Sequence, residues 1–254
     1  MVVSTVPSYS KPELTLLAIV YSHEVNEEVL KRLVVLENSS SPSHLIGIHQ
    51  LFCSTGILLL SLAGASGSLV ILFQDDQKND ALATFLKAKN VIKVGFRLET
   101  AAPVLHHFYG YELNTMFSVN EVIDPGCWRT GTQVPIAACY ELLSPPKPKY
   151  PKEQLLKEHQ WLHLESLNEL SQGHGIASSL LAQMAFTIGA RAGYNRNTTG
   201  AMSQSNFLSK YKAPFPETVA MILKEAKAAM AAANQEDSVE FESAMAYVKP
   251  RLTF

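Results

Sequence analysis

Between residues 44 and 73 the chain runs through three apolar segments in quick succession: HLIGIHQLF (44–52), GILLLSL (56–62) and SLVILF (68–73). Each run is short and bounded by turn residues, which reads as buried strand rather than helix. The last two are joined by AGASG, a connection that suits a hairpin turn. Three consecutive strands in thirty residues fix a sheet at the centre of the fold.

What flanks them decides the kind of sheet. LTLLAIVYS (14–22) reads as a further strand, and NEEVLKRLVVLEN (26–38) has helical apolar spacing behind Asn26 as N-cap. DDQKNDALATFLKAKN (75–90) reads as a helix, VIKVGF (91–96) as a strand rich in β-branched residues, and ETAAPVLHHFYG (99–110) as a helix stopped by Gly110. ELNTMFSVNEVI gives a short strand leading into a helix that ends at Asp124-Pro125-Gly126. From residue 134 the pattern is mostly helical, with VPIAACYELL, EQLLKEHQWLHLESLNEL and GIASSLLAQMAFTIGARAG separated by the Pro/Lys loop SPPKPKYPK. The order predicts an α/β fold with a mixed central sheet flanked by helices and a mostly helical second half. VIKVGF is expected in the sheet interior beside HLIGIHQLF, since both read as buried on two faces. Residues 14–193 form the expected domain. A polar linker (194–213) and a C-terminal helical extension (214–254, Ala-rich at first) follow.

Of the 254 residues 47% are hydrophobic and 17% charged, and the net charge is −2, so a large core is available and any basic face must be local. The three cysteines form no CxxC pair, which predicts a reducing, intracellular setting, cytoplasmic or nuclear. No secretory signal and no membrane span is expected.

Three blocks in this order carry a resemblance: IGIHQL, KVGFRLETAAPVLHHFYGYELNTMF and GHGIASSLLAQ. They are similar to the motifs of the 3′–5′ exonuclease domain of the ribonuclease D and Werner type, a ribonuclease H-like fold, over about residues 14–190. That family has Asp-x-Glu at the end of its first motif strand, Gly-[Phe/His]-Asn-x-x-x-Asp in the second block and Tyr-x-x-x-Asp on a late helix. The resemblance implies two divalent ions about 4 Å apart, which activate water and stabilise the leaving oxygen. Such hard ions want several oxygen ligands, chiefly carboxylates. At the matching positions this chain carries His49 and Leu51 for the first Asp and Glu, Arg97 for the Asn, Ala101 for the second Asp, His174 for the Tyr and Ser178 for the last Asp. Arg97 would bring positive charge toward the cation positions. The expectation is a degenerate site with no catalytic residue, no metal and no cofactor.

The remaining candidates have plainer readings. His106 and His107 are adjacent on a helix and point about 100° apart, so they do not chelate one ion. His159 and His163 have i,i+4 spacing, but HQWLH lacks the Glu of HExxH and reads as packing. Ser178 and Ser179 lie inside a helix without a nucleophile elbow. AGASGS lacks the Lys and spacing of a phosphate loop. Lys147, Lys149, Lys152 and Lys157 cluster around Tyr150, and the first three, with Arg97, are the nucleic-acid-binding candidates. The function implied is a pseudo-exonuclease: a non-catalytic adaptor in RNA metabolism, with weak single-stranded RNA binding, protein partners and an open option of homo-oligomers. The alternative is an active 3′–5′ exonuclease with other ligands, drawn from residues such as Asp75, Asp76, Asp80 and Asp124.

Overall fold

The computed structural model describes residues 16–34, 44–53, 56–73, 78–96, 98–119, 136–143, 151–158 and 170–191. Strand β1 (Leu16–Tyr21) leads through a 3-10 turn into helix α1 (Glu27–Val34). Strands β2 (His44–Cys53), β3 (Gly56–Gly64) and β4 (Gly67–Leu72) follow, then α2 (Asp80–Lys87), β5 (Val91–Gly95), α3 (Leu98–Tyr109) and the short β6 (Met116–Ser118). Helices α4 (Ile136–Leu143), α5 (Lys152–Glu158) and α6 (Gln172–Arg191) complete the described chain. The element order expected from the sequence is the order found. The linker, the C-terminal extension and the helix expected to end at Asp124 lie outside the described residues.

The six strands form one sheet in the order β1-β4-β3-β2-β5-β6. The β2–β3 and β3–β4 pairs are antiparallel, and β1–β4, β2–β5 and β5–β6 are parallel. VIKVGF therefore lies inside the sheet against HLIGIHQLF, and β5 is buried along its whole length. A mixed sheet with one antiparallel strand, helices on both faces and βα crossovers is the ribonuclease H-like α/β architecture.

Local chemistry sets the helix ends. Asn26 Oδ1 accepts from the Val29 N–H at 3.1 Å, capping α1. The α2 cap is Asn79, later than the Asp75 start the sequence suggests: its Oδ1 accepts from the Leu82 N–H at 2.8 Å, and its Nδ2 donates to Val25 O. Gly110, at φ +66°, ends α3 by donating its N–H to His106 O. Pro103 lies within α3.

One apolar cluster joins α1, α2 and α3 to the sheet through Leu30, Leu33, Leu82, Leu86, Val104 and Leu105, packed with Ile46, Ile48, Leu62 and Leu69. A second joins α4, α5 and α6 to the sheet through Tyr140, Leu143, Leu155 and Leu181, packed with Leu45, Ile92 and Val94. Every residue of α6 from Ala177 to Gly189 is buried. That is the mark of a helix enclosed on all sides rather than lying on a surface. Among the described residues no helix is long and apolar enough to cross a membrane.

Candidate functional site

Strand β2 is the spine of the sheet, with β3 on one edge and β5 on the other. Successive side chains alternate between faces. Leu45, Gly47 and His49 thus share a face, and α6 lies across it. A β-carbon at Gly47 would fall inside the Ala182 carbonyl and 2.6 Å from the Phe186 N, so only glycine lets strand and helix come this close. At Gly189 the added atom would meet Leu45 and Val94. The helix therefore runs antiparallel to β2, with Gly189 over Leu45, Ala182 over Gly47, and Ser178 one turn earlier.

That geometry delivers the central contact. His49 Nδ1 and Ser178 Oγ are 2.8 Å apart and both side chains are buried. They are the residues matched to the first and last Asp of the exonuclease motifs, 129 positions apart in sequence and in direct hydrogen-bonding contact. Which group donates depends on the imidazole tautomer. Leu51 and Ala101, matched to the Glu and to the second Asp, are wholly buried members of the larger apolar cluster. Arg97 lies outside the described residues.

The contact belongs to a longer polar seam under α6. Ser61 sits across the β2–β3 ladder from His49 and is fully buried. Ser68 Oγ approaches Gln183 Oε1 at 3.3 Å and Ser179 O at 3.5 Å. Thr187 Oγ1 donates back to Gln183 O at 2.8 Å. The hydroxyls of Ser61 and Ser179 have no hydrogen-bond partner among the described residues. Read one by one, Ser178 and Ser179 do not reveal the seam. A signal for it exists in the sequence: Ser179, Gln183 and Thr187 form an i,i+4,i+8 stripe in an otherwise apolar helix.

His174 has a different occupation. It lies in the first turn of α6, where its Nδ1 accepts from the Ser171 N–H at 3.0 Å while Ser171 Oγ accepts from the His174 N–H at 3.3 Å. The pair reproduces a capping box with His in place of Glu. Lys152 is the first residue of α5 and half-buried. Lys147, Lys149, His159 and His163 lie outside the described residues, as do Asp75, Asp76 and Asp124. Asp80 starts α2, whose residues pack with α1 rather than with the β2–α6 seam.

The residues at the motif positions do not fit a pair of hard divalent ions. One offers an imidazole already bonded to a hydroxyl, and two offer buried alkyl groups. Among the described residues no three His, Cys, Asp or Glu side chains are grouped so as to hold a metal ion. The side chains named in the seam include no carboxylate, lysine or arginine. Two further buried ionisable groups lie outside the seam. Burial pushes the Cys139 thiol up to about 12, which leaves it inert as a nucleophile. Burial also pulls Lys93, on β5, down to about 7, and its ammonium donates to Ala88 O at 2.6 Å and Asn114 O at 2.8 Å.

No family model and no curated protein matches the chain. Solved structures do. Brucella melitensis NrnC is 13% identical, with 89% of this chain and 98% of that one covered at a TM-score of 0.48. The Nibbler EXO domain of Aedes aegypti is 11% identical, with 84% and 99% covered at a TM-score of 0.49. Identities this low say nothing of activity. The ribonuclease H-like class of this fold stands on the order and direction of its own strands.

Proposed function

We propose that the chain is an exonuclease-type domain that works without hydrolysis, as an adaptor in RNA metabolism that contacts single-stranded RNA weakly and protein partners more strongly. The observation that carries this reading is the meeting of His49 with Ser178. The first and last motif positions converge as the exonuclease resemblance requires, yet the groups brought together are an imidazole and a hydroxyl. Leu51 and Ala101 supply no donor atom at all. A two-ion mechanism depends on ligands that fix both ions beside the scissile phosphate, and these four positions do not supply them.

Net charge of −2 supports protein contacts carrying more of the affinity than phosphate contacts. Lys147, Lys149, Lys152 and Arg97 are the phosphate-binding residues proposed. The test is incubation of the pure protein with labelled single-stranded oligonucleotides and Mn²⁺. The expected result is intact substrate. Progressive 3′ shortening that stops on adding chelator would establish the active-exonuclease alternative instead. In the same preparations, replacing the three lysines by Ala should weaken binding about equally for all sequences. The salt slope should flatten by about one for each lysine that pairs with a phosphate.

A further inference from the structure

We infer that His49 and Ser178 form a metal-independent tie between β2 and α6, set where the resembled family bridges strand and helix through cations. The tie shares the His49–Ser178 contact with the proposed function, but unfolding tests the tie and oligonucleotide hydrolysis tests that function, so their failures are distinguishable.

A carboxylate pair at these two positions would be self-repelling and would hold strand and helix together only when loaded with cations. An imidazole and a hydroxyl offer a complementary donor and acceptor, and they meet directly at 2.8 Å. The 2.8 Å separation is ordinary hydrogen-bonding distance. The surrounding packing holds the gap closed. Two residues before His49 on the same face, Gly47 lets the backbone of α6 approach until a β-carbon would overlap the Ala182 carbonyl. On the opposite side Ser68 meets Gln183, so polar side chains cross from sheet to helix on both β2 and β4. His49 is not an idle relic of a former ligand set in this arrangement. It is the strand's half of a clasp, and Ser178 is the helix's half. Docking of α6 should therefore be indifferent to chelators and to divalent ions.

The experiment is a double-mutant cycle on the full chain in chelator, with His49→Ala, Ser178→Ala and the pair, read by urea unfolding. The expected coupling is a factor of about five in the unfolding equilibrium constant, the size of one buried hydrogen bond. Strictly additive single effects would overturn the tie. Melting is then compared with Mn²⁺ and with chelator: the native chain should show no shift. A Mn²⁺-induced rise that disappears in His49→Ala would show a cation site and overturn the inference. Should His49→Ala fail to fold, Ser178→Ala, which deletes a single oxygen, still decides the matter. The ¹⁵N shift of the His49 Nδ1 must move on that substitution, and an unmoved resonance would overturn the tie.

Discussion

The two faces of the sheet are built on different terms. Toward α1, α2 and α3 the interface is a broad apolar cluster, and Lys93, the charge buried there among the described residues, is held by two backbone carbonyls. Toward α6 the interface is narrower and closer, and a row of polar groups runs through it: His49, Ser61, Ser68, Ser178, Ser179 and Gln183. A core selected only for packing has no need of such a row, least of all one in which Ser61 and Ser179 find no hydrogen-bond partner among the described residues. The first face reads as scaffold. The second carries a polar row that joins sheet and helix through hydrogen-bonding side chains.

The largest test of this contrast uses a glycine from each face. Gly47 faces the Ala182 carbonyl of α6, and Gly64 faces the Leu33 carbonyl in the last turn of α1; at either, a β-carbon would overlap backbone. Helix α6 is long, enclosed and packed on β2, β3, β4 and β5, so it cannot step aside. Helix α1 has eight residues, and its end can shift. Gly47→Ala should cost roughly 3 kcal/mol or more, and Gly64→Ala clearly less. Equal costs in urea unfolding would show that the two faces are held with the same rigidity.

Lys93 probes the charge buried on the apolar face. Burial lowers its pKa from 10.5 to about 7, so the unfolded chain binds more protons between those values. Stability from this group is lowest below about pH 7 and rises toward pH 10.5. At about 1.4 kcal/mol per pH unit, the window is worth on the order of 5 kcal/mol. Lys93→Met removes the titration. Native stability minus variant stability should therefore climb from about pH 7 upward, with contributions from Tyr and Cys cancelling in the difference. A flat difference across that range would mean that Lys93 is solvated.

Two smaller substitutions refine the comparison. Asn79→Ala removes the α2 cap and the link to Val25 on the scaffold side, and should cost about 1 kcal/mol. Ser68→Ala on the other side breaks contacts of 3.3 and 3.5 Å, near the limit for a hydrogen bond. Its cost should stay below about 0.5 kcal/mol. A larger cost at Ser68 than at Asn79 would make the seam, not the caps, the stronger structural element.

The strands, their succession along the chain and the place of VIKVGF beside HLIGIHQLF are legible in the bare sequence, because they depend on short-range signals: apolar period, the Asn26 cap, the Gly110 stop and the AGASG turn; the Asn79 cap of α2 is not, since DDQK reads as helix. The occupants of the motif positions are legible too, since His49, Leu51, Ala101 and Ser178 are matters of identity and spacing alone. What those residues do emerges only when the chain closes on itself. Ser178 in isolation is a hydroxyl in an apolar helix, and His49 a polar residue in a strand; their contact spans 129 residues and exists because Gly47 lets α6 come down onto β2. Lys93 illustrates the same limit. VIKVGF reads as buried on both faces, which leaves Lys93 without a partner in the sequence reading; only the carbonyls of Ala88, after α2, and of Asn114, before β6, supply one. Periodicity along one segment records which way a side chain points. Whether it meets water, carbonyls or a helix depends on segments far away in the chain.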